Sequence, residues 1–395
     1  MDVKQVYELA NAATTETLGQ SDLLQEDLSN LVDVGTQILN ARSFDKFVGS
    51  LVDHIGKMIF VNRPYTGSIP SVMRDGWEYG AILQKVSGRL YDATENESWE
   101  LQDGTSYDPN VFYKPDVVDK FFSKKTTWEI PLSFTERQAR SAVSSAAQMN
   151  AFQSMLFTDV ENSRTVKIED LVMRCINSMI GSTVYNFTAG GGTYTDAGSI
   201  RCVNLLARYN SRYSKSLTAA QCFEDPDFIR YASYVIGLYA KRMRRISTLF
   251  NIGAQPRFTP QDRLHTVMHS DFVEAASVFL QSDTFHKELV ALPTTETVPY
   301  WQATGTGADA YKFAKTGSID INIPDDVSGT HPRVQASGII GIMFDREALG
   351  VCNEDYRVTT NFNPKAEFFS NWWKVDSSYF NDQNENFVVF YAATA

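Results

Sequence analysis

The chain has 395 residues, 43% hydrophobic and 21% charged, with a formal net charge of −11 from 47 acidic and 36 basic residues. That is an ordinary composition for a folded chain of two or three domains, with enough apolar material to build a core without disulfide or metal staples. The acidic balance argues against tight, sequence-independent duplex binding, because such affinity comes from neutralising phosphates. Aromatic residues reach 12%, with 25 Phe, 18 Tyr and 6 Trp, which fits either a Phe-rich core or extensive contact surfaces. Cys175, Cys202, Cys222 and Cys352 form no CxxC pair and read as small buried hydrophobes. No apolar signal region opens the chain and no run approaches the ~18 apolar residues of a membrane span, so it reads as cytosolic and free of disulfides.

Residues 1–42 are polar, small and acidic, with Leu23, Leu24, Leu28, Leu31 and Val32 as a weak helical stripe. They read as an arm that gains order against another surface. Ser43 then caps a helix whose Phe44, Phe47, Val48, Leu51, Val52, Ile55 and Ile59 fall on one face. From Val61 to Trp128 the helical period disappears, and turn pairs such as Ile69-Pro70, Asp103-Gly104 and Asp108-Pro109 punctuate short apolar stretches. This reads as a long extended loop without an apolar face of its own. Such a segment is marginal in isolation and needs another surface to lie on. Trp77, Tyr79, Tyr91, Trp99, Phe112 and Tyr113 are its candidate contact residues.

Between Ser133 and Asp159 the Ala, Gln and Ser content predicts helix. After Thr165 the spacing of Ile168, Leu171, Val172, Cys175, Ile176, Met179, Ile180 and Val184 predicts an amphipathic helix of about twenty residues, ended by Gly190-Gly191-Gly192. A further helix starts at Asp225-Pro226, with a buried face from Phe228 to Phe250. Its second half is basic: Lys241, Arg242, Arg244 and Arg245. That cluster reads as a solvated face favoured by the helix dipole or as a nucleic-acid contact. Leu264 to Met268 predicts a strand, His269-Ser270-Asp271 a cap, and the residues after it a helix. Gly338 to Phe344 is a continuous apolar run, the pattern of a buried strand. Arg357 to Phe362 and Phe387 to Tyr391 complete the expected strands, and the segregated elements indicate an α+β fold.

No residue set reads as catalytic, cofactor-binding or metal-binding. Gly190-Gly191-Gly192 lacks the spacing and the GK[ST] of a phosphate loop, and no GxSxG elbow occurs. His265 and His269 share a face of their strand without an evident third ligand. Glu97, Trp99, Glu100 and Asp103 resemble the carboxylate–aromatic lining of a glycosidase cleft, but chance pairings are expected in so acidic a chain. The glycosylation patterns at Asn96 and Asn186 carry no weight without secretion.

The order of elements resembles the Hong Kong 97-type major capsid protein of tailed phages: N-arm, extended E-loop, P-domain with a long spine helix, and A-domain. Phe47 to Gly56 is similar to the helix before the E-loop in short-tailed phages of the phi-29 type, and Gly338 to Gly350 to the segment where the chain leaves the A-domain. The resemblance implies residues 1–60 as arm and helix, 61–128 as E-loop, 129–202 as P-domain with spine helix, 203–337 as A-domain and 338–395 as return strands of the P-domain. It implies a non-enzymatic subunit that assembles into pentamers and hexamers of an icosahedral head shell around phage DNA, without sequence-specific binding. A separate scaffolding protein and a portal are the implied partners, because no coiled-coil segment precedes the arm; no membrane is involved. The expected location is the virion, after assembly in the host cytoplasm. A protein-filled nanocompartment of the encapsulin type and a carbohydrate-active hydrolase are the rival readings.

Overall fold

The computed structural model describes residues 3–18, 25, 30, 33–34, 72–73, 83–88, 90–91, 93–122, 125–135, 146–281, 295–304, 312–315, 317–323, 332–366 and 368–394. The predicted helix at 44–59 lies outside these residues. So do the leucine stripe at 23–32 and most of 61–82. Within the arm, Val3–Leu18 forms helix α1, with Ala10, Ala13 and Thr14 buried.

One two-stranded ribbon starts the described sheet structure. Strands β1 (Leu83–Gly88) and β2 (Val117–Phe122) pair antiparallel. Strand β3 (Lys125–Thr135) follows, so the expected helical start at Ser133 falls in a strand. The long helix α2 runs Ala146–Ala189, 44 residues, or about 66 Å at 1.5 Å per residue. This is twice the predicted length, because the Ala- and Gln-rich segment and the amphipathic segment form one continuous helix. Ile168, Val172, Cys175, Ile176, Met179, Ile180 and Val184 are all buried, as their spacing requires. The glycine stop acts as predicted: Gly191 takes φ +88, and the amides of Gly190 and Gly192 donate to Asn186 O and Phe187 O.

The body is built on a sheet of order β4-β14-β11-β5-β6 among the described residues: Cys202–Asn204, Phe387–Tyr391, Ile339–Asp345, Leu264–His269 and Thr295–Val298. Both faces are covered, which is why β11 and β14 read as unbroken apolar runs. Ile342, Phe344, Phe387, Val389 and Tyr391 enter the core shared with α2. Ile340, Met343, Val388 and Phe390 enter a second core with α3 (Leu205–Tyr213), α4 (Pro226–Met243) and α5 (Ser270–Gln281). The boundary expected between residues 337 and 338 falls just before β11, and this sheet reaches across it.

Helix α4 begins as predicted, with the Asp225 carboxylate accepting from the amides of Asp227 and Phe228. It ends at Met243 rather than near Asn251. The chain turns there because Ser247 and Arg257 pair backbone to backbone, and Thr259 N reaches back to Met243 O at 2.8 Å. Phe250 still reaches the core, carried by that loop instead of the helix.

A second antiparallel sheet has the order β12-β13-β3, where β12 is Leu349–Asn363 and β13 is Phe368–Asn381. Strand β13 was not evident in the sequence, since its buried positions include Asn371, Ser377 and Ser378. Short ribbons β7–β8 (Gln302–Thr304 and Lys312–Lys315) and β9–β10 (Ser318–Asn322 and Arg333–Ser337) complete the described elements.

Candidate assembly surfaces

The β1–β2 ribbon lies inside the stretch 61–128 expected as one extended loop, and it carries a shorter loop described at 90–91 and 93–116. One face, Leu83, Lys85, Ser87, Val118, Lys120 and Phe122, is half-buried against the body, and the alternate positions face outward. The register sets Lys85 directly opposite Lys120, a like-charge pair that repels on its own. The structure places carboxylates between them. Lys85 Nζ lies 2.9 Å from Asp382 Oδ2 and 2.8 Å from Glu385 Oε1, while Lys120 Nζ lies 2.8 Å from Asp382 Oδ1. Lys85 also donates to Glu347 O at 3.0 Å. Phe122 packs on Phe380 with ring centroids 5.3 Å apart.

Asp382 is the hub of this latch, with its side chain only 3% exposed. Burial alone would raise its pKa, but the Lys85 and Lys120 ammoniums outweigh that effect and hold it below the ordinary carboxylate value. Its backbone fixes the turn: Asp382 N donates to Ala348 O at 2.7 Å, and Asn384 N to the Asp382 carboxylate at 3.1 Å. Sequence reasoning missed Lys85, Lys120, Asp382 and Glu385, because their meeting depends on a strand pairing and on contacts across 262 and 297 residues of chain.

Beyond the ribbon, the connecting loop has local turns but no core. Asn96 and Asp108 side chains accept from the amides of Ser98 and Asn110. Gln102 N donates to the Tyr107 hydroxyl at 3.1 Å. Four of the six predicted contact residues stand on this loop, and their exposure is extreme: Trp99 95%, Phe112 84%, Tyr113 82% and Tyr91 68%. Trp77 and Tyr79 lie outside the described residues. Large apolar rings left so bare in one stretch are uncommon on a monomer's surface.

A concave site of about 470 Å³ opens between α3 and α4, lined by tyrosines with Lys215, Asp227 and Arg230. Its one carboxylate, Asp227, lies 3.5 Å from the Arg230 guanidinium. Glu100 and Asp103 sit on the open loop rather than across a cleft. His265 and His269 lie on β5 as expected and stack against Phe344 and Trp301. No helix among the described residues is long and apolar enough to cross a membrane.

Solved structures share this fold. The capsid of Staphylococcus phage Andhra matches at 7% identity with a TM-score of 0.53, over 82% of this chain and 83% of that one. A chain in the structure of the head fiber and inner core protein gp22 of native bacteriophage P68 matches at 8% identity with a TM-score of 0.52, over 84% and 86%. The mixed helix-and-sheet chain has the Hong Kong 97-type capsid fold. No curated protein matches the sequence. Residues 10–391 match the family described as Phi29-like phage major capsid protein. The chain belongs to that family, the Phi29-like phage major capsid proteins.

Proposed function

We propose that the latched β1–β2 hairpin and its aromatic loop form the cover that one subunit lays over its neighbour in the phage head. Family membership makes the chain a major capsid protein of the virion that associates with its own kind into the head shell, and it favours this role over a protein-filled compartment or a carbohydrate hydrolase. The finer arrangement is our reading. Residues 61–128 act as the extended loop, and 203–337 form most of the body that meets its counterparts in pentamers and hexamers. The chain is structural and catalyses nothing. It assembles in the host cytoplasm with a separate scaffolding protein and a portal, and encloses DNA without gripping it, in keeping with its net charge of −11.

One observation carries the proposal: a ribbon tied to the body by ion pairs holds out a loop whose Trp99, Phe112 and Tyr113 are more than four-fifths exposed. Apolar rings on a fixed support gain most when a second surface buries them. The test is to replace residues 89–116 with Asn-Gly, a two-residue turn suited to a tight hairpin. This keeps β1, β2 and the lysine latch. Coexpressed with the phage's other head genes, the shortened chain should fold, by circular dichroism, and yield no closed shells by negative-stain microscopy. Closed shells of normal size would overturn the proposal.

A further inference from the structure

The large hydrophobic side chains left exposed gather mainly in two places: the hairpin with its loop, and the segment after α4. In the second, Ile246, Leu249, Ile252 and Phe258 are between 41% and 59% exposed. That segment is well fixed. Ser247 and Arg257 exchange two backbone hydrogen bonds of 2.9 and 3.1 Å, which sets Ile246 opposite Phe258. The Asn251 side chain bonds both ways to the Gln255 backbone, and Ile252 N donates to Gln383 O. Phe250 and Asn251 are buried beneath it. The exposed apolar residues are therefore held outward on a support tied to the same 382–386 turn that latches the hairpin.

The charges of the two places are opposite. Residues 241–258 contain Lys241, Arg242, Arg244, Arg245 and Arg257 and no acid, in a chain whose net charge is −11. Lys241, Arg242 and Arg245 are exposed. The loop at 93–116 exposes Glu95, Glu100, Asp103 and Asp108 around its rings, with Lys114 its single basic residue. Both surfaces have an apolar centre and they carry charges of opposite sign, which is the arrangement that fixes register and partner choice between proteins.

We infer that the acidic aromatic loop of one subunit docks on the basic apolar segment 241–258 of a second copy. This rests on the reading of the hairpin as an intersubunit cover and names the surface it covers. The segment's basic residues then serve a protein partner, and duplex DNA is the competing occupant.

The test is charge exchange in the full-length chain. Lys241→Glu/Arg242→Glu/Arg245→Glu should cut shell yield at least tenfold, and Glu95→Lys/Glu100→Lys/Asp103→Lys should do the same. Combining both sets should restore shells to within a few-fold of wild type. A photo-cross-linking residue at Trp99, in mixed ¹⁴N and ¹⁵N subunits, should yield peptides from 241–258 joined between isotopically different chains. This second measurement decides alone if the charge variants do not fold. Combined sets no better than either single set, cross-links elsewhere on the neighbour, or cross-links within one chain would each overturn the inference. So would normal shells from the basic-segment variant that have lost only retention of duplex DNA. If the loop replacement abolishes shells while the exchange fails to rescue, the hairpin remains a cover with a different footing. Shells surviving the loop replacement would remove both readings.

Discussion

Lys85 and Lys120 face each other across an antiparallel pair, so the ribbon holds its position only with an anion between them. Asp382 supplies most of it. In Asp382→Asn the two ammoniums would lie unneutralised against a nearly buried amide, at a cost of roughly 2 kcal/mol once the partial exposure of the lysines is allowed for. The backbone amides of 83–88 and 117–122 should then exchange with deuterium at least tenfold faster, while those of β11 and β14 stay protected. The pH dependence has the same origin. The folded-state pKa of Asp382 lies below its ordinary 3.8, so its contribution is complete above that value. It is lost as the pH falls through the folded value. Hydrogen exchange of the ribbon should therefore be steady from neutral pH down to mild acid and, after correction for intrinsic rates, rise below about pH 4. The cysteines follow from burial alone. The thiols of Cys175 and Cys202 are pushed up to about 12 and that of Cys222 to about 11. A thiol reagent at pH 8 should leave all three unlabelled in the folded subunit and label them after unfolding. Rapid labelling of any of them in the native chain would contradict this packing.

Elements were legible where their residues repeat one environment. The second half of α2, the start of α4, and strands β5, β11 and β14 all follow the apolar spacing, because each buries a fixed face or both faces. Elements defined by long-range pairing were not. Strand β13 lies between β12 and β3 over 14 residues, yet its inward face mixes Phe369, Trp373 and Val375 with Asn371 and Ser377. Its alternation shows in the sheet and not in hydropathy. The junction before β11 illustrates how tightly these elements meet. Gly338 has φ +70, and a Cβ there would lie 2.0 Å from Ala392 O. Gly338→Ala should thus lose about 2–4 kcal/mol from combined strain and displacement of the C-terminal strand, read as a lower urea midpoint at unchanged slope. A midpoint equal to wild type would show that the approach is less close than described.

At the scale of the whole molecule, the isolated subunit differs between its interior and its exterior. Among the described residues, two apolar cores flank one sheet, and α2 ties that sheet to β9, β10, β12 and β13. Its exterior keeps bare aromatic rings on the hairpin loop. Assembly should cover them. Trp99, 95% exposed in the subunit, should show a blue-shifted emission and several-fold weaker acrylamide quenching in shells, measured as the difference between wild type and Trp99→Phe. An unchanged difference spectrum on assembly would mean that the loop stays in solvent.

The sequence by itself determined the α+β class, the buried half of the long helix with its glycine stop, the doubly buried strands and the burial of the cysteines. Each of these depends on local spacing. Only the tertiary structure decided that Asp382 and Glu385 meet Lys85, that α4 stops at Met243, and that residues 241–258 form a rigid basic surface with apolar side chains turned outward. Those outcomes depend on strand register and on contacts between residues hundreds of positions apart. Hydropathy along the chain does not encode such contacts; the closing of the sheets does.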